Sequence, residues 1–143
     1  METLDDAALR RLLERVRTIA VVGIKAGETD DAFRVPRYLQ REGYRILPVS
    51  PKLDIVLGVP VARSLGELGE APHLVNLFRA PAHIPGHVDE ILALPVPPQA
   101  VWMQLGIAHA PSRARLERAG IPVIEDRCLM VDHARLFGRQ PSH

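Results

Sequence analysis

Five short apolar runs recur along the chain, and segments with the apolar period of a helix lie between them. A run that is apolar at nearly every position is typical of a strand buried on both faces, as in a parallel sheet. The alternation therefore predicts an α/β fold, a three-layer Rossmann-like arrangement around a mainly parallel sheet of about five or six strands. The runs are TIAVVG (18–23), YRILPVS (44–50), HLVNLF (73–78), QAVWMQ (99–104) and IPVIED (121–126).

Capping residues set the expected helix limits. Thr3 or Asp5 is a candidate cap for a first helix, and Thr29 or Asp30 for the helix after the first run. Pro36 is expected in the first turn of that second helix, where a missing N–H is tolerated.

The segment GVPVARSL (58–65) offers a short edge strand, and Ser64 is expected to cap a helix that follows it.

Composition limits the class of protein. A chain of 143 residues with 47% hydrophobic and 24% charged residues is expected to form one domain over residues 1–143. Cys128 is the only cysteine, no apolar run is long enough to span a membrane, and the first residues are too charged for a signal peptide, so we expect a cytoplasmic protein. A net charge of +1 argues against a broad nucleic-acid surface.

Cations follow several of the predicted strands at the carboxyl edge of the sheet. Lys25, Lys52 and Arg79 fall in the loops after the first three runs, and Gln104 places a neutral amide after the fourth. Ligands of open α/β sheets bind at this edge. The pattern favours an anionic ligand, although Lys52 taken alone is also consistent with a solvated loop lysine.

The loop after the first run departs from known nucleotide fingerprints. Gly23 and Gly27 are spaced more loosely than the glycines of the dinucleotide motif, and no P-loop motif occurs. The second run ends in SPK, where NAD sites usually place an acidic residue. A lysine there suits a phosphate group better. Glu28, Asp30 and Asp31 would repel an anion unless they point outward or cap the helix, and we expect capping.

Six segments in fixed order carry a family resemblance. They are TIAVVGIK, VPRYLQREGYRILPVSPK, VLGVPVARSLGEL, VNLFR, AVWMQLGI and AGIPVIEDRCLM. The sequence resembles the small single-domain CoA-binding proteins, which are related to the CoA-binding domain of the succinyl-CoA synthetase alpha subunit. The resemblance spans roughly residues 16–136 and implies a Rossmann-like domain that binds coenzyme A.

The resemblance also implies places for the parts of CoA. The ADP part is expected across the loops after the first and second strands, and the pantetheine arm across the later loops. The matching segments are Gly23, Ile24 and Lys25 at the pyrophosphate, with Arg34 and Val35 beneath it; Ser50, Pro51 and Lys52 near the ribose 3′-phosphate; Phe78 and Arg79 near the adenine or the arm; and Gln104, Leu105 and Gly106 where the arm passes.

The expected function is binding of CoA or an acyl-CoA by a non-catalytic carrier, sensor or partner of an acyl-CoA enzyme. The synthetase reaction does not carry over, since the chain lacks a second domain and a matching phosphorylated histidine. One alternative is an NAD(P)-binding module or oxidoreductase on the same fold. Another is an acyl-CoA enzyme that acts through Cys128 or His133, and a mixed disulfide between Cys128 and CoA is a further variant.

No metal site is expected. His83 and His87 are four residues apart, but Pro85 and Gly86 interrupt a helix between them, and no acidic residue completes a zinc-protease pattern.

Overall fold

A computed structural model describes residues 4–140, and it has the predicted Rossmann-like α/β architecture. Five strands form a parallel sheet in the order β2-β1-β5-β6-β7, and β3 pairs with β4 in a separate hairpin. The prediction of one domain over residues 1–143 reaches beyond the described residues and stays a prediction. The strands are β1 (Thr18–Val22), β2 (Arg45–Val49), β3 (Ile55–Val56), β4 (Val59–Pro60), β5 (Leu74–Leu77), β6 (Ala100–Met103) and β7 (Val123–Ile124).

Helices cover both faces of the sheet. They are α1 (Asp6–Arg15), α2 (Asp31–Arg41), α3 (Ile84–Leu92), α4 (Ala110–Arg118) and α5 (Leu129–Phe137). The first, second and fifth helices pack on one face, around Trp102, and the third and fourth pack on the other, around Met103. None of the helices in residues 4–140 is long and apolar enough to cross a membrane.

Asp5 caps α1, because its carboxylate accepts a hydrogen bond from the Ala8 N–H at 2.8 Å. The other candidate cap, Thr3, lies outside the described residues.

The predicted short edge strand after β2 forms as a two-residue strand beside the edge of the sheet, and its strand partner is β3. Its residues form β4, which turns back on β3 through Leu57 and Gly58, both with positive φ. Such left-handed pairs suit a two-residue hairpin. A bridge between Val49 and Ala62 ties this segment to β2: the Ala62 N–H donates to the Pro48 carbonyl, and the Ala62 carbonyl accepts from the Ser50 N–H, both at 2.9 Å.

The helix predicted after Ser64 is a single 3₁₀ turn, Leu65–Glu67. The predicted cap at Ser64 is wrong, because the Ser64 side chain makes no capping hydrogen bond to this turn. The Leu65 N–H donates instead to the carboxylate of Glu90, at 3.0 Å. A residue distant in sequence has replaced the local cap.

Pro36 lies in the second turn of α2 rather than the first, since Asp30 caps a helix that begins at Asp31. A proline at this position cannot donate to the carbonyl four residues earlier, which belongs to Ala32. That carbonyl accepts instead from the backbone N–H of Lys25, at 3.2 Å. Because Pro36 leaves the Ala32 carbonyl free, the hydrogen bond from Lys25 can tie the loop after β1 to α2.

His133 on α5 is buried in an aromatic cluster. Its Nδ1 lies 2.9 Å from the Tyr38 hydroxyl, and its ring stacks on Phe137 with centroids 4.5 Å apart. Burial lowers the pKa of His133 below its usual value, since the charged imidazolium would lose its hydration.

We expect the free energy of unfolding to fall as pH drops below about 6.5, the usual pKa of an unfolded histidine. Below that pH His133 binds a proton in the unfolded chain but stays neutral in the folded protein. The free energy of unfolding therefore keeps falling with pH until the pH passes the lower pKa of folded His133. Urea unfolding of the wild type and of His133→Phe, between about pH 7.5 and 5.5, measures the effect. The variant should show the flatter slope, by up to about 1.4 kcal/mol per pH unit. Equal slopes would contradict the assignment to His133.

Candidate functional site

The order of the strands fixes where a ligand is expected. From β1 the chain moves to β2 on one side and then returns to β5 on the other side of β1. Loops that leave neighbouring strands in opposite directions create a crevice at their carboxyl ends, and open α/β sheets bind ligands there. The loops after β1 and β5 meet at this crevice.

Gly23 allows these two loops to touch. Its φ is +85°, and a Cβ at this position would lie 2.4 Å from the carbonyl oxygen of Phe78 and 3.0 Å from Cδ of Arg79. Its N–H donates to the Val49 carbonyl at 3.0 Å, which holds the residue against the end of β2 as well. Only glycine satisfies both the conformation and the close approach.

A cleft of about 390 Å³ opens beside this contact. Its walls come from the loops after β1, β5 and β6 and from the residue that precedes α5. Six of the predicted site residues line it together with Cys128, namely Lys25, Phe78, Arg79, Gln104, Leu105 and Gly106.

Two cations in this cleft lack a protein partner. The side chains of Lys25 and Arg79 make no hydrogen bond or ion pair with any described residue, and the Nε of Arg79 is buried. Asp30 and Asp31 also line the cleft, but Asp30 caps α2, as predicted, and Asp31 pairs with Arg34 at 3.0 Å. Lys25 is exposed and Arg79 is partly buried, so two positive charges without a carboxylate partner in the described residues line one cleft, an arrangement that suits an anion.

Gln104 is held in one orientation at the end of β6. It is 4% exposed, and its Oε1 accepts from the Leu129 N–H at 3.0 Å. The only hydrogen bond of its side chain to residues 4–140 is this one through Oε1, and the side chain lines the cleft. The cleft therefore offers a neutral donor in addition to its cations.

Asp126 fixes the turn that follows Gln104, a role that the sequence analysis missed. Its carboxylate accepts from the Gly106 N–H at 2.7 Å, and its own N–H donates to the Ile107 carbonyl at 3.0 Å. Asp126 has a φ of +56°, a conformation for which Asp is one of the more tolerant residues. The neighbouring Leu105 is left 68% exposed at the cleft.

The segment Ser50–Pro51–Lys52 lies at the end of β2 and is not part of the cleft lining. The Ser50 hydroxyl accepts from the Lys52 N–H at 3.1 Å and the Leu53 N–H at 3.4 Å, which fixes the turn and leaves the lysine side chain exposed. Arg63 braces the turn by donating to the carbonyls of Ser50 and Leu53, at 3.2 and 2.6 Å. No sequence pattern pointed to Arg63.

Two predicted residues have side chains inside the core. Ile24 is 1% exposed and Val35 is fully buried, so only their backbone atoms could face a ligand in this conformation. Arg34 is partly buried and pairs with Asp31. The backbone N–H groups of Gly23 and Lys25 already donate to protein carbonyls. Of these two residues, Lys25 keeps its side-chain ammonium as a donor without a partner among residues 4–140.

The histidines considered for catalysis or metal binding lie elsewhere. Cys128 lines the cleft, whereas His133 lines a different cavity and contacts Tyr38. His87 Nδ1 lies 2.7 Å from the Glu90 carboxylate. Within the described range, no three His, Cys, Asp or Glu side chains cluster as a metal site would require.

Comparison of the sequence with protein families gives one match over most of the chain. A family described as a CoA binding domain matches residues 17–134. An uncharacterized protein of Bacillus subtilis, YneT, is 34% identical over 134 residues, which cover 94% of this chain and 98% of that protein.

Solved structures share the whole fold. A Thermus thermophilus structure described as cell-free ID.343 superposes with a TM-score of 0.90 at 43% identity and covers 94% of this chain and 100% of its own. A hypothetical protein from Pyrococcus horikoshii OT3 has a TM-score of 0.90 at 30% identity, with 96% and 99% covered.

Gly23→Ala should destabilise the protein by at least about 2 kcal/mol, because a side chain there meets both positive φ and a backbone oxygen. Urea unfolding measures the change. Gly27→Ala is the matched control in the same loop, since a Cβ there meets nothing within 4 Å and Gly27 has no positive φ. Equal stabilities for the two variants would contradict the close approach.

Proposed function

We propose that this chain, which belongs to the CoA binding domain family, binds coenzyme A or an acyl-CoA along the carboxyl edge of its sheet. The observation that carries the proposal is a pair of cations, Lys25 and Arg79, that have no partner among residues 4–140 and line a cleft at the point where the strand order reverses. Charge-assisted hydrogen bonds from such groups are what a pyrophosphate needs.

Charge along this edge matches the two ends of CoA. Lys52, Lys25 and Arg79 follow β2, β1 and β5, which are neighbours in the sheet, whereas Gln104 follows β6 with a neutral amide. At the β7 end, Arg127 is neutralised by Asp132 at 2.8 Å. A ligand with a phosphorylated head and an uncharged arm fits this gradient.

The dimensions suit an elongated ligand. Five neighbouring strands about 4.8 Å apart separate the loop after β2 from the loop after β7 by roughly 19 Å. In the proposed arrangement the 3′-phosphate lies at Lys52 and the pyrophosphate lies at Lys25. The pantetheine arm enters the cleft beside Phe78, with its amides within reach of Gln104.

We further propose that the chain acts as a carrier, a sensor or the partner of an acyl-CoA enzyme. His133, the base considered for Cys128, is engaged with Tyr38 in another cavity, which supports a role in binding over nucleophilic catalysis. An acyl-CoA enzyme would need a base close to its nucleophile.

Lys52→Ala should weaken CoA binding by roughly tenfold and leave dephospho-CoA binding unchanged, because only CoA carries the 3′-phosphate. Calorimetric titration under reducing conditions measures both ligands. Arg118→Ala is the control, since Arg118 is an exposed cation at the far end of α4. An equal loss of affinity for both ligands would show that Lys52 does not bind the 3′-phosphate.

Arg79→Ala should weaken CoA and dephospho-CoA alike, by roughly tenfold, because both carry the pyrophosphate and the arm. Titrations of NAD and NADP belong to the same experiment. If the wild-type protein binds NAD or NADP and does not bind CoA, the proposal of CoA as the ligand is wrong. A redox cofactor on this fold is then favoured.

A further inference from the structure

We propose that Cys128 captures CoA covalently, as a mixed disulfide, by exchange with the disulfide form of CoA. The inference rests on the proposed function, since it requires the pantetheine arm to lie in the cleft. It adds a redox-dependent state to a site that otherwise only binds.

Cys128 lies in the cleft as a free, partly exposed thiol. It immediately precedes α5, is partly exposed, and lines the cleft that contains Arg79 and Gln104. Its side chain makes no capping hydrogen bond to the helix. It is also the only cysteine of the chain, so no internal disulfide competes for it.

Gln104 is the independent sign that a ligand reaches this end of the cleft. Its Oε1 is held by the N–H of Leu129, the residue next to Cys128. This bond fixes the amide and leaves Nε2 as an unpartnered donor on a side chain that is 4% exposed. Because this side chain lines the cleft and no residue in 4–140 accepts from its Nε2, the amide is available to an acceptor that enters the cleft. The amide carbonyls of pantetheine are acceptors of this kind.

The proposed order of the CoA groups along the sheet edge, from the phosphates to the arm, places the thiol of CoA near Cys128. With phosphates at Lys25 and Arg79, the arm runs from β5 toward β7 past Gln104. Cys128 follows β7, which is the last strand in that direction. The sulfur of CoA lies at the end of the arm, so the two sulfurs share one end of the cleft.

The reaction balances without an added oxidant. The thiolate of Cys128 attacks one sulfur of CoA disulfide, a new sulfur–sulfur bond forms to that CoA, and the second CoA leaves as a thiolate with the electron pair of the broken bond. The proton of the cysteine passes to solvent. An added dithiol reverses the step and regenerates free Cys128.

The test compares two disulfides that have the same reacting end. Pantetheine disulfide carries the same arm and leaving group as CoA disulfide but lacks the phosphorylated ADP head. Wild-type protein is incubated with each at low concentration, and intact-mass spectrometry follows the adduct. Because the chain has one cysteine, any disulfide adduct is at Cys128. The same two reactions with urea-unfolded protein give the intrinsic ratio of rates.

The expected result is an adduct that forms roughly tenfold or more faster from CoA disulfide than from pantetheine disulfide in the folded protein, with equal rates in urea. Excess 3′-phosphoadenosine 5′-diphosphate, the head without the arm, should suppress the difference. Equal rates in the folded protein overturn the inference. Calorimetric titration of reduced CoA with the same sample separates the two claims. Binding with equal rates overturns only the disulfide, and no binding overturns the proposed function as well.

Discussion

The close approach of Gly23 to Phe78 is the constraint on which the site depends. A backbone oxygen occupies the space that any side chain at position 23 would need. The contact brings the loops after β1 and β5 together where the strand order reverses, and the cleft begins beside it. If these loops were further apart, Lys25 and Arg79 would no longer line one cleft.

Hydrogen bonds outside the helices and the sheet hold the other loops at this edge. Pro36 leaves the Ala32 carbonyl without its helical donor, and the Lys25 N–H takes that place. Asp126 accepts from the Gly106 N–H, which joins the loops after β6 and β7. These bonds fix the backbone beside the cleft and leave the side chains of Lys25 and Arg79 without a partner among residues 4–140. Such preorganisation lowers the entropic cost of binding a ligand.

The cations near this edge fall into two groups, those paired within the protein and those of the candidate site. Arg63, Arg127 and Arg135 connect elements through carboxylates or carbonyls, and their charges are neutralised within the protein. Lys25 and Arg79 have no such partner in the described part of the chain. Sequence reasoning placed both in carboxyl-edge loops, but it could not tell a paired cation from an unpaired one, since pairing depends on residues far apart in the chain.

The sequence by itself determined the α/β class, the parallel sheet and the loops at its carboxyl edge, because apolar runs and helical periods are local patterns that burial enforces. It also placed Asp30 as a cap. Only the tertiary structure decided that GVPVARSL pairs with Ile55–Val56, that Ile24 and Val35 face the core, and that Cys128 shares a cleft with Gln104. Those outcomes depend on which segments meet in space, and contacts between distant segments leave no periodic signal in one sequence.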